Sequence, residues 1–184
     1  MNKTVLIVLA VIGLLVVFAF SSYNSLVSLN ENVNGKWSQI DNQLQRRADL
    51  IPNLVNTVKG FAAHEQAAIA AVADARAKLA GAAGPAAKGQ ANGELNSALS
   101  RLLVVVENYP NLKADQTFRS LMDELAGTEN RIAVARKDYN DAVQVFNTKI
   151  RSLPTSIFAG MMGFGPKEYF QAEQGARQVP QVKF

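Results

Sequence analysis

Val5-Leu6-Ile7-Val8-Leu9-Ala10-Val11-Ile12-Gly13-Leu14-Leu15-Val16-Val17-Phe18-Ala19-Phe20 follows Met1-Asn2-Lys3-Thr4 directly. These sixteen residues hold no charge, amide or proline, and thirteen of them are Leu, Ile, Val or Phe. Extension through Thr4 and Ser21-Ser22-Tyr23 gives a helix of about 30 Å at ~1.5 Å rise per residue, which matches one bilayer crossing. At about −0.3 to −0.6 kcal/mol per large apolar residue, insertion gains on the order of 4–8 kcal/mol. The chain therefore reads as a water-compatible domain held to a lipid bilayer through residues 4–23.

A cleaved secretory signal is the competing reading, with Lys3 as its positive end and Ala19-Phe20-Ser21 as a small-x-small cleavage site. The apolar run is at or beyond the upper length of a signal core, and no helix breaker precedes Ala19, so a retained anchor over residues 1–22 is the expectation. The absence of cysteine removes a lipidated variant, disulfides and thiolate-bound metals. Lys3 and the terminal amine lie on the short side, and the first cation beyond the span is Lys36. The positive-inside rule then places the N-terminus in the cytoplasm and the domain on the far side of the cytoplasmic (inner) membrane.

The chain carries 19 Lys and Arg against 15 Asp and Glu, and these charges alternate in sign instead of clustering. That pattern argues against a nucleic-acid partner. From Asn24 onward the chain has the length of one domain.

Past the span the apolar spacing is helical nearly throughout. Leu26, Leu29, Val33, Trp37, Ile40 and Leu44 form one stripe of mean spacing 3.6. Asp49-Leu50-Ile51-Pro52 interrupts it; an Asp cap with proline in the following first turn predicts a tight reversal there, a kinked continuous helix being the alternative. Gly81 to Gly93 holds four of the twelve glycines and reads as a loop. A third helix follows, ended by Pro110, and a last long one stops at Pro154. No alternating β pattern of useful length occurs. The predicted architecture is all-α: the transmembrane helix followed by an antiparallel, up-and-down bundle over 23–153 with helices near 23–49, 51–80, 94–109 and 113–152. Residues 154–184 read as an irregular apolar and aromatic tail packed on that bundle, with a polar stretch over 171–184.

Several strings resemble the LemA family. They are Tyr23-Asn-Ser-Leu-Val-Ser-Leu29, Trp37, Leu44-Gln-Arg-Arg-Ala-Asp-Leu-Ile-Pro-Asn-Leu-Val55, Val58-Lys-Gly-Phe61 and His64-Glu65. Glu107-Asn-Tyr-Pro-Asn-Leu-Lys113, the run from Glu129 through Arg136 to Asn140, Pro154 and Gly163-Phe164 extend the likeness over essentially the whole chain. Ala48 departs from it, since relatives often carry a bulkier residue there. The resemblance implies a bacterial single-pass membrane protein with a helical-bundle domain, and no settled biochemical activity or catalytic residue. Some descriptions of the family put the short N-terminus outside the cell, opposite to the charge argument, which stands as the expectation.

His64 is the single histidine, too few for a zinc site, and no local nucleophile makes it a general base. No phosphate loop, G-x-S-x-G or acidic metal cluster is present, so no catalytic, cofactor-binding or metal residue is assigned. Asp138 and Asp141 read as water-facing. Polar residues on the apolar stripes are more informative. One reading is a buried polar layer drawn from Arg46, Arg47, Asp49, Glu129, Arg136 and Asn140, with Arg47 or Arg46 paired to Glu129 to fix helix register. The other is that these long side chains reach from the stripe edges into water. Phe158, Met161, Met162, Phe164, Tyr169 and Phe170 form a candidate contact surface, either covering the bundle or meeting another copy or the membrane. The expected role is a non-enzymatic scaffold or adaptor acting through protein–protein contacts, with self-association into a homo-oligomer. An accessory subunit of an integral membrane enzyme such as a protease is the alternative, and a membrane-tethered hydrolase is the remotest.

Overall fold

The protein, represented by a computed structural model that describes residues 2–171, is all-α, with no strand among the described residues. Six helices follow in order among these residues: α1 Lys3–Phe61, α2 Gln66–Gly81, α3 Gly84–Val106, α4 Pro110–Ala114, α5 Gln116–Arg151 and α6 Thr155–Ala159. They do not form the single domain expected beyond the span. Among the described residues, 2–36 and Asp138–Glu168 make one compact unit, and Trp37–Lys137 with 169–171 make a second. Only α1 and α5 are long enough to contribute to both.

The second unit is an up-and-down bundle. The segment of α1 from Trp37 and the helix α2 run in opposite directions, joined at Ala62–Glu65; α3 turns back again, and α5 runs against α1, as the bonds of Gln43 to Arg131 and of Arg47 to Glu129 show. Its core takes the apolar stripe of each helix, with Ile40, Leu44, Leu54, Leu79, Leu95 and Ile132 fully buried. Asp115 caps α5, its carboxylate accepting the Phe118 N–H at 2.8 Å, which meets one of the open donors of a first turn.

Two expected boundaries move. The reversal predicted at 49–52 is absent: α1 passes through Pro52, and the chain turns twelve residues later, around His64. Proline lacks the N–H that would bond the carbonyl four residues earlier, so the Ala48 C=O loses its helical partner. Arg76 on α2 replaces it, its Nε donating to the Ala48 oxygen at 3.0 Å. The loop predicted from Gly81 to Gly93 is also mostly helix. Gly84 has φ +81° at the entrance and Pro85 sits in the first turn of α3, the position where its fixed φ favours a helix. Gly89 is a packing glycine: a Cβ there would stand 3.0 Å from the Gln171 carbonyl oxygen and 3.4 Å from the Phe170 ring.

The first unit pairs α1 up to Lys36 with the last turns of α5. Leu26, Val33, Val143 and Phe146 are buried between them, and Lys36 meets Asp138 at 3.1 Å. After Ser152 the chain forms α6, then a turn with Gly163 at φ +79°, and continues without regular structure to Glu168. Val5 to Val17 remain exposed along α1, the one helix among the described residues long and apolar enough to cross a membrane.

Candidate functional site

Among the described residues of the bundle unit, Arg47 is the one deeply buried charged side chain, 4% exposed. The stripe of α1 carries it there, one turn past Leu44, because the spacing that buries Ile40 and Leu44 also selects position 47. Its Nη1 donates to Glu129 and to the Asn92 Oδ1 at 3.1 Å, and its Nη2 donates to the Asn96 Oδ1 at 2.5 Å. Asn96 also donates to Glu129, at 3.4 Å. Arg47 thus links α1 to α3 and α5 through a fork of charge-assisted bonds, an arrangement that a planar guanidinium favours. Glu129 is 37% exposed along its side chain, so it reaches the cluster from the rim.

The other polar residues named from the sequence go elsewhere. Arg46 is exposed and pairs with Glu124. Asp49 is exposed and accepts the Gln45 amide at 2.9 Å. Arg136 is half-buried about two turns beyond Glu129, and Asn140 is half-buried in the other unit. Asp138 pairs with Lys36 instead of facing only water. Asn92, Asn96 and Arg76 are partners that the sequence pattern does not mark. Asn92 and Asn96 lie four apart, hence on one helix face, but Gly89 and Gly93 disguised that helix as a loop.

The candidate contact residues divide between the units. Within the first, Phe158 lies 6.3 Å from Phe18 between ring centroids, and Phe164 lies between Tyr23 and Phe146, at 5.9 and 6.2 Å. Phe158, Met162 and Phe164 are half-buried, whereas Met161 projects outward. Asn147 clamps the following stretch, its amide donating to the Lys167 C=O at 2.9 Å and its oxygen accepting the Lys167 N–H at 2.8 Å. The Tyr139 hydroxyl donates to the Glu168 C=O at 2.8 Å, and burial, then the Glu168 charge, raises its pKa. In the second unit Tyr169 is exposed, and Phe170 is buried against Trp37. The polar stretch expected at 171–184 lies, beyond Gln171, outside the described residues.

A broad groove of about 980 Å³ runs between α2 and α3, with Asp74, Lys78, Glu94 and Arg101 on its walls. Lys78 bonds Glu94 at 2.6 Å, which raises the lysine and lowers the glutamate from their ordinary values. A carboxyl held ionised is poorly suited to act as a general acid near neutral pH. His64 is exposed in the α1–α2 turn. Among the described residues no group of His, Asp and Glu could hold a metal ion.

The LemA family model matches residues 36–184. The chain belongs to the LemA family. Two relatives from Paramagnetospirillum magneticum, named magnetosome proteins MamQ 1 and MamQ 2, are each 32% identical over 94% of this chain and 74% of their own length. Magnetosome protein MamQ of Magnetospirillum gryphiswaldense is 29% identical over 86% of this chain and 67% of its own. The family and these relatives make the chain a membrane-associated helical protein.

Proposed function

We propose that this LemA-family chain is a non-catalytic scaffold, anchored in the bacterial inner membrane by residues 4–23 and self-associating through its helical faces. The observation that carries the reading is the use of the buried charge: Arg47 binds α1 to α3 and α5 and so serves helix register. In the groove, Lys78 and Glu94 likewise pair with each other across α2 and α3. α1 has no break between Phe20 and Phe61, so the anchor runs on into the first bundle helix. The relatives are named for the magnetosome and not for a reaction. The short N-terminus lies in the cytoplasm in this reading, with Lys3 holding it there.

Light scattering of the full chain in mild detergent tests the scaffold. A homogeneous oligomer is expected, and a monomer at micromolar concentration would overturn self-association and favour the accessory-subunit reading. Topology has its own test, because the chain has no thiol. Ala83→Cys, at the exposed α2–α3 turn, should react with a membrane-impermeant maleimide on intact cells; labelling only after lysis would reverse the orientation.

A further inference from the structure

The segment Leu153–Phe164 leaves large apolar side chains uncovered: Leu153 is 78% exposed, Ile157 61% and Met161 86%. Single exposed apolar residues are ordinary, but three on one short segment mark a contact site. What covers them follows from their neighbours. Phe158 packs on Phe18, which lies inside the apolar run of α1, and Phe164 packs on Tyr23, at the end of that run. Phe18 and Tyr23 are five residues apart, about 7.5 Å along a helix. The segment therefore spans the level at which hydrocarbon gives way to head groups, a zone of roughly 5–8 Å on each side of a bilayer.

We infer that Leu153–Phe164 is a second membrane element, an interfacial anchor that seats Leu153, Ile157 and Met161 among the lipids around the end of the span. The inference rests on the anchored reading of residues 4–23. Three further features suit a lipid surface better than water or a protein partner. No charged residue occurs between Arg151 and Lys167. Basic residues flank the gap, Lys149 and Arg151 before it and Lys167 after it, where cations meet lipid phosphates. The backbone also satisfies itself: Ser156, Ile157, Met162, Gly163 and Phe164 donate to the carbonyls of Ser152, Pro154, Phe158, Gly160 and Ala159 at 2.9 to 3.3 Å. An irregular segment entering a bilayer boundary needs such internal partners, because lipid supplies none. Interfacial elements of this kind sink about 5–10 Å into the head-group boundary.

Fluorescence quenching of the full chain in vesicles of phosphatidylcholine and phosphatidylglycerol tests the proposal. An NBD label is placed on Ile157→Cys or Met161→Cys, both exposed positions, with Leu9→Cys in the span and Ala83→Cys in the bundle as references. Lipids carrying a nitroxide near the head of the acyl chain should quench the labels at 157 and 161 several-fold more than the label at 83. Aqueous iodide should show the reverse order. Iodide quenching at 157 and 161 equal to that at 83 would overturn the proposal, and so would shielding from both quenchers, which would mean that a second copy or another protein covers the segment. If the label at Leu9 is reached by lipid and those at 157 and 161 are not, this inference alone fails. If Leu9 is not reached either, the anchored reading falls with it.

Discussion

The bundle unit and the unit that contains the apolar span use buried polar side chains in different ways. In the bundle, Arg47, Asn92, Asn96 and Glu129 bond to one another. In the span-containing unit, Asn147 and Tyr139 bond to the main chain of Lys167 and Glu168. The cause is the state of the opposing backbone. Packed helices present carbonyl and amide groups that are already bonded, so a long buried side chain turns to other side chains, whereas the short Thr128 hydroxyl bonds back to its own helix at the Leu125 C=O, 2.8 Å away. An irregular segment presents open groups, and an amide such as Asn147 can bind its N–H and C=O together, as a neighbouring strand would. Arg76 fits the same rule from within the bundle: it finds main chain on a helix at Ala48, the carbonyl that Pro52 leaves open.

The largest effect should come from the bundle cluster. Glu129→Ala leaves the guanidinium of Arg47 buried with only two amide oxygens among its named partners, and a loss of about 3 kcal/mol is expected, at the low end for breaking a buried pair because Glu129 is partly solvated. Arg47→Met should cost less, about 1–2 kcal/mol, since the remaining carboxylate can rehydrate and the apolar chain fills the space. The double variant Arg47→Met with Glu129→Leu should recover part of the combined loss. Urea denaturation gives all three values; a larger loss for Arg47→Met than for Glu129→Ala would contradict this order.

Asn147→Ala probes the other unit. It removes both bonds to Lys167 and leaves a buried N–H and C=O to find water, for an expected loss of about 2 kcal/mol. Proteolysis should then cut after Lys167 faster than in the wild type, while the bundle's protection from hydrogen exchange stays unchanged. Equal loosening of the bundle would show that the two units do not differ in the way argued. The third comparison lies between these cases. Arg76→Met should cost about 1–2 kcal/mol beside Pro52, but clearly less in a Pro52→Ala background, where a restored N–H bonds Ala48 directly. An identical cost in both backgrounds, read by a double-mutant cycle, would remove the main-chain role of Arg76.

Much of this was legible in the residues. The 3.6-residue stripes give the all-α class, and the uncharged run from Val5 gives the candidate span. Position 47 falls on a stripe, which made Arg47 a candidate for burial without deciding between a buried layer and a side chain that reaches water. Three features were hidden for physical reasons. Pro52 carries a strong local signal for a helix start, but its partner Arg76 lies 24 residues on, beyond the reach of local pattern. Gly89 reads as flexibility, yet it is glycine because Phe170 and Gln171 occupy the room of a side chain. The partition into two units depends on where α2 and α3 end relative to α1 and α5, which no single helix encodes.

Alkaline pH gives the smallest and most symmetrical test, because each unit holds one tyrosine above its ordinary value of about 10. Tyr109 in the bundle donates to the Glu65 carboxylate at 2.8 Å, and that bond, then burial, then the carboxylate charge raise it. Tyr139 in the other unit is raised by burial first and the Glu168 charge second. A raised pKa means that the folded state keeps the proton longer than the unfolded state does. The stabilisation is therefore complete below about pH 10 and declines as pH rises through the folded value. At pH 8, Tyr109→Phe and Tyr139→Phe should each lower stability, Tyr139→Phe by about 0.5–1.5 kcal/mol. Above pH 10 each variant should converge on the wild type, whose advantage comes from the protonated hydroxyl. Denaturation series at pH 8, 10 and 11 measure this, and a gap that widens with pH for either tyrosine would reverse the assignment of its hydroxyl as the donor.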